Sequence, residues 1–100
     1  MSFLDRFKSA PRWKHPDPLV RAAAVADIPD DGEHREVIAD LASSDEDVRV
    51  RRAALTRIGD VPLLVSLARS EPDAELRREV VEILVGVATA AADTALGQPA

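Results

Sequence analysis

The apolar residues of this 100-residue chain recur at the spacing of helices. In three segments they stand at positions i, i+4, i+5 and i+8, which form one face of an α-helix. Strict alternation, which is typical of a half-buried strand, does not recur in the same way. The spacing predicts three amphipathic helices, with apolar faces made of Val20, Ala24, Val25 and Ile28; of Val50, Ala54, Leu55 and Ile58; and of Leu76, Val80, Val81 and Leu84.

Shorter apolar stripes precede each of these three helices. They predict a partner helix in front of each longer one, so that the chain consists of three helix pairs. The first partner helix is expected from about Phe3 to Lys8. The stripes are Phe3, Leu4 and Phe7; Val37, Ile38 and Leu41; and Leu63, Leu64 and Leu67.

An Asp followed four positions later by an Arg marks the start of each longer helix, and successive copies are 30 and then 26 residues apart. An Asp at a helix start can accept hydrogen bonds from free backbone amides and complements the helix dipole. The Arg can pair with that Asp at i, i+4 or reach the turn of an adjacent repeat. Because the motif occurs once per repeat, we interpret it as structural rather than as a ligand site. The pairs are Asp17/Arg21, Asp47/Arg51 and Asp73/Arg77.

The segments His15–Arg21, Asp45–Arg51 and Glu71–Arg77 resemble the Asp-Pro-Asp-Pro-Glu-Val-Arg signature of HEAT repeats. They are most similar to the short bacterial type that also occurs in phycobilisome-lyase-like repeats. The resemblance covers roughly residues 2–88. It implies an all-α fold in which about three helix pairs stack into a right-handed α-solenoid, used mainly as a protein-binding scaffold. His15 and Glu71 depart from the signature, because each stands in place of its first Asp.

The repeats predict one domain over residues 1–89. Its repeats are expected at about 2–28, 33–59 and 61–88, and the longer first period is accommodated by a polar loop at 29–33. Residues 90–100 end in Gly-Gln-Pro-Ala and are expected to form a flexible C-terminal tail.

Composition agrees with an all-α protein and narrows its chemistry. The chain has only three aromatic residues and no Tyr, and it lacks Cys, which excludes disulfides, thiol nucleophiles and thiolate metal sites. The first ten residues do not have the apolar stretch of a secretory signal, and the weakly polar stretch at 83–92 is too short to cross a bilayer. We therefore expect a cytoplasmic protein that does not bind membranes.

The net charge of −5 is unevenly distributed, since residues 27–47 hold nine acids and one Arg. Phosphate contacts need a clustered basic surface, so no nucleic-acid binding is expected. Arg49 and Arg52 follow this acidic segment and should project away from the apolar face of their helix. They are candidate contacts for an acidic group of a partner, and pairing with the nearby acids is the alternative.

Candidates for catalysis are weak. His34 lies near Glu33, Glu36 and Asp40, but no second His stands at i+4, so a solvated helix face is expected rather than a metal or acid–base site. Trp13 could stack on a ligand, although covering the end of the core is the more common role of such a residue. The sequence therefore predicts no metal, no cofactor and no enzymatic activity.

The function that the sequence favours is a non-catalytic protein–protein interaction scaffold. The alternative is an accessory subunit of an enzyme, such as a bilin-lyase-like or nucleic-acid-processing HEAT-like protein. On the C-terminal helix, expected from about Asp73 to Ala88, Val81 and Val85 belong to a second apolar stripe. This stripe predicts a docking surface for a protein partner or a second copy of the chain, unless the tail continues the helix and folds over it.

Overall fold

The computed structural model describes residues 11–97, with side chains described through residue 92. The regular elements of this part of the chain are all helices, and it contains no strand, as the apolar spacing predicts. The expected helix from Phe3 to Lys8 lies outside the described residues. A short 3-10 helix at Arg12–Lys14 precedes α1 (Pro18–Val25), α2 (Arg35–Ser44), α3 (Val48–Leu55), α4 (Val61–Ser70) and α5 (Ala74–Gly97).

The Asp of each sequence repeat begins a helix. Its carboxylate accepts a hydrogen bond from a backbone N–H of the first turn, which satisfies one of the amides that the helix leaves free. Pro residues in the first turns of α1 and α4 have no N–H to leave unpaired. The caps are Asp17 to the amide of Leu19 at 2.9 Å, Asp47 to that of Arg49 at 2.8 Å and Asp73 to that of Leu76 at 2.8 Å.

Helix α5 is longer than the sequence analysis predicts. It passes the expected end at Ala88 and continues to Gly97, a total of 24 residues. Residues 88–96 contain five Ala and no Gly or Pro, so nothing in this segment interrupts the helix. The segment expected as a tail therefore begins inside a helix.

The five helices share one apolar core. Helix α3 packs against both α1 and α2, α4 packs against α5, and smaller contacts join α2 to α4 and α3 to α5. Each predicted apolar face contributes to this core. Its buried members are Val25, Ile28, Ile38, Ala42, Val50, Ala54, Leu55, Leu64, Leu67, Leu76 and Val80.

Candidate protein-interaction surface

Arg21 connects the first sequence repeat to the second. Its buried side chain runs from α1 to the turns before α1 and α3. Nη1 donates to the backbone carbonyls of His15 and Pro16, both at 2.9 Å. Nε and Nη2 donate to the carboxylate of Asp45 at 3.0 and 3.1 Å, and this hydrogen bonding raises the pKa of Arg21. One guanidinium therefore ties together two turns that are far apart in sequence.

Arg51 makes the equivalent contacts between the second repeat and the third. Nη1 donates to the backbone carbonyl of Asp45 at 2.8 Å. Nε and Nη2 donate to both oxygens of Glu71 at distances of 2.8 to 3.1 Å. The pair is nearly removed from solvent, with side chains 10% and 4% exposed. Burial makes this geometry important, because an ion pair in the interior needs all its hydrogen bonds.

The predicted ion pairs between Asp and Arg four residues apart are wrong. Within residues 11–92 the Asp carboxylates bond to amides of their own helix starts, while Arg21 and Arg51 ion-pair with an acid before the next longer helix. Helical side chains lean toward the N-terminus, which carries the long arginines past the cap to the carbonyls of the preceding turn. The alternative contact with an adjacent repeat is the one observed.

Arg77 holds the same position in the third repeat but lacks an acidic partner. Its Nη1 donates to the carbonyls of Glu71 and Pro72 at 3.0 and 3.2 Å, which repeats the backbone contacts of Arg21. Among the side chains described, no carboxylate accepts a hydrogen bond from Arg77, and the residue is exposed. Arg-Arg at 51–52 returns at 77–78, so the sequence marks the two positions as equivalent.

The burial of apolar side chains also differs between the third repeat and the first two. Val25 and Leu55 occupy equivalent positions in the first two repeats and are each 1% exposed. Val81 is their equivalent in the third repeat and is 49% exposed, and Val85 one turn later is 59% exposed. The predicted docking residues Val81 and Val85 thus lie on an open face of α5, and Arg77 begins that face. We refer to Arg77, Arg78, Val81 and Val85 as the α5 surface.

The other two candidate contacts, Arg49 and Arg52, are ion-paired within the chain. Arg49 Nη2 lies 2.8 Å from Asp47 Oδ2, and this pair lowers the pKa of Asp47 to about 2. Arg52 Nε lies 2.7 Å from Glu79 Oε2 and joins α3 to α5. The structure therefore shows the alternative that the sequence left open, in which both arginines pair with nearby acids.

Arg57 has a structural role that the sequence analysis missed. Its Nη1 donates to the backbone carbonyls of Val25 and Ile28, both at 2.7 Å. These carbonyls lie at the C-terminal end of α1 and in the turn that follows it, and the Val25 carbonyl also accepts from the backbone N–H of Ile28 at 3.2 Å. About thirty residues separate donor and acceptors, so no local pattern could have identified the contact.

A small polar cluster surrounds His34. Carboxylate oxygens of Asp31 and Glu33 and a ring nitrogen of His34 lie within 4.8 Å of one another. His34 Nδ1 is 2.7 Å from Asp31 Oδ1, and this hydrogen bond lowers the pKa of Asp31. Trp13 packs edge-on against the His34 ring with centroids 5.8 Å apart and covers part of the core. These contacts give the cluster a structural role before α2, and Glu36 and Asp40 are not part of it.

A cleft with a volume of about 510 Å³ opens between α2 and α4. Its polar lining is of mixed sign, with Arg35 and Arg57 facing Asp30 and Asp60. Arg57 is held there by the α1 carbonyls. The lining contains no Ser, Thr, Cys or His, so it offers no side-chain hydroxyl, thiol or imidazole for nucleophilic or acid–base catalysis.

None of the described helices combines the length and the apolar character that crossing a membrane requires. Comparisons of the chain with protein families, with curated proteins and with solved structures find no match.

Proposed function

We propose that this protein is a non-catalytic protein-interaction scaffold in which HEAT-like repeats stack as a right-handed α-solenoid. Three features support the proposal: the repeated sequence signature, the arginines that join successive repeats, and the open α5 surface. The observation that carries it is the exposure of Val81, since its equivalents Val25 and Leu55 are buried.

The α5 surface is suited to docking because its apolar residues gain from being covered. Complete burial of an aliphatic side chain stabilises by about 1.5–3 kcal/mol, and Val81 and Val85 retain about half of their accessible surface. Each repeat of a solenoid covers the apolar face of its neighbour. Exposed valines where the two earlier repeats have buried residues therefore favour a protein partner, or a second copy of the chain, that extends the stack.

Affinity capture from a native lysate, read by mass spectrometry, tests the role of this surface. The bait is the intact chain, compared with a Val81→Glu, Val85→Glu variant and with a Leu19→Glu control. Leu19 is 59% exposed, as is Val85, but it lies on α1, whereas α5 packs mainly against α4 and α3. We expect capture of a specific protein, or dimers in sedimentation, with the intact chain and the Leu19 variant.

The double variant should fold with a similar melting temperature and lose that association, because the charges would be placed where the partner packs. Three monomeric chains with identical capture profiles would contradict the proposal. A general loss of capture in the Leu19 variant as well would also count against a binding site localised on α5.

A further inference from the structure

We infer that Arg77 and Arg78 select the partner of the α5 surface, and that this partner presents a helix whose preceding turn carries a carboxylate. The inference rests on the proposed scaffold function and adds the chemistry of the bound element. The inference is based on Arg51 and Arg52, which are the equivalents of Arg77 and Arg78 in the second repeat. The structure shows the acids that pair with both of them.

The guanidinium of Arg77 is already oriented for such a contact. In Arg21 the Nη1 atom bonds to two backbone carbonyls, and the Nε–Nη2 edge binds the carboxylate of Asp45. In Arg77 the Nη1 atom bonds to the equivalent two carbonyls, so the same edge remains for an acid. A planar guanidinium edge fits a carboxylate with two parallel hydrogen bonds. Because the two backbone carbonyls already restrain the Arg77 side chain, it loses less rotamer freedom when it binds an acid.

Arg78 provides a second requirement. Its equivalent in the second repeat, Arg52, pairs with Glu79, eight residues after Glu71 in the element that covers α3. Glu71 lies in the turn before α5 and Glu79 lies in α5, and both acids contact arginines of α3, so both lie on the side of this element that faces α3. The buried Leu76 lies between the two acids in sequence, and the buried Val80 directly follows Glu79. The expected partner element is thus an acid in a turn, an aliphatic helix face and a second acid two turns into the helix.

A second copy of this chain fits the requirement poorly. In a head-to-tail stack the residue that corresponds to Glu71 is His15, and the one that corresponds to Glu79 is Ala23. Neither supplies a carboxylate. In a parallel two-fold contact between α5 helices, Arg77 and Arg78 would lie beside their own copies, where like charges repel. In an antiparallel contact centred between Val81 and Val85 they would lie opposite Thr89 and Ala88, neither of which is an acid. The charge pattern therefore favours a different protein over self-association.

The chain itself supplies a probe with the expected chemistry. A synthetic peptide of residues 71–92 contains Glu71, Glu79 and the apolar face that covers α3. Titrated into the intact protein and followed by amide NMR shifts, it should bind saturably, with shifts centred on Arg77, Val81 and Val85. A Glu71→Gln peptide should bind about tenfold more weakly, which corresponds to about 1.4 kcal/mol.

Matched variants identify the contact. A Glu75→Gln peptide has the same change in charge at a residue exposed in α5 and should bind as the original does. Arg77→Gln in the protein should also weaken binding about tenfold. Combined with the Glu71→Gln peptide, it should cause little further loss, because the two changes remove one contact. Circular dichroism melting of the Arg77→Gln protein verifies that it remains folded.

The outcomes separate this inference from the proposed function. Binding that is abolished by Val81→Glu but insensitive to both Arg77→Gln and Glu71→Gln overturns the inference and leaves the docking surface intact. Binding that is absent, or indifferent to Val81→Glu as well, overturns both. Sedimentation of the intact chain as a dimer that Val81→Glu dissociates would identify a second copy as the occupant and overturn the choice of partner.

Discussion

Helices α3 and α5 carry matching side chains at matching positions, yet their surroundings differ. On α3, Arg51 and Leu55 are covered by the following repeat. On α5, Arg77 and Val81 have the same placement and remain exposed among the described residues. The comparison shows that the same repeat motif can lie in the interior or at the surface. What decides between them is whether another element follows in space.

Burial changes the energetics of the arginine. The Arg51–Glu71 pair lies in the interior, where a complete set of hydrogen bonds offsets the cost of removing two charges from water. Every buried side-chain nitrogen and oxygen among the described residues has a partner, so the interior tolerates these charges. Around Arg77 water solvates the free edge of the guanidinium. The same residue type should therefore respond very differently to mutation at the two places.

The largest difference is expected between Arg51→Ala and Arg77→Ala. Arg51→Ala leaves the buried carboxylate of Glu71 without its cation and should lower the free energy of unfolding by about 3–5 kcal/mol. Arg77→Ala removes only exposed hydrogen bonds and should cost less than about 1 kcal/mol. Urea unfolding at neutral pH measures both values. As a control, Arg51→Met with Glu71→Leu should lose less stability than Arg51→Ala alone. Similar losses at positions 51 and 77 would contradict the comparison.

Leu55 and Val81 lie one helical turn after these two arginines and provide a second test of the difference between α3 and α5. Leu55→Ala opens a cavity in the core and should lower the free energy of unfolding by about 2–5 kcal/mol. Val81→Ala removes methyl groups that are already half exposed and should change it by about 0.5 kcal/mol or less. Thermal melting followed by circular dichroism is sufficient to distinguish these values. If Val81→Ala were as destabilising as Leu55→Ala, an unrecognised part of the chain would have to cover α5.

The helices could be predicted from the sequence because their signals are local. Apolar spacing within ten residues identifies each amphipathic face, and the Asp before each longer helix identifies its start. The end of α5 was the least accurate prediction, since an Ala-rich segment is compatible both with a frayed tail and with a continuing helix. Local propensity favours the helix there, and the structure follows it to Gly97.

The partners of the arginines were harder to predict. Arg57 reaches carbonyls about thirty residues earlier in the chain, and Arg52 reaches Glu79 on another helix. Such contacts depend on how helices pack, which the spacing of residues within one helix does not specify. Val81 and Val85 were accessible to prediction because a stripe too broad for one neighbour is visible in the sequence. Their exposure is informative only when it is compared with the burial of Leu55, the residue equivalent to Val81 in the second repeat.

The smallest effect is expected at Asp47, whose position at the start of α3 combines a cap with an exposed ion pair. Its hydrogen bonds with the Arg49 side chain and backbone amide lower its pKa from 3.8 to about 2. Because the folded-state pKa lies below the unfolded value, the stabilisation is present above about pH 4 and disappears as the pH falls toward 2. Asp47→Asn keeps an oxygen for the amide of Arg49 but cannot titrate. The melting temperature of the wild type should therefore decrease more steeply than that of Asp47→Asn between about pH 5 and pH 2. Asp60→Asn is the control for the loss of one carboxylate at a helix start, because Asp60 begins α4 without a side-chain cap hydrogen bond. An Asp47→Asn curve as steep as that of the wild type would show that the cap does not depend on the charge of this carboxylate.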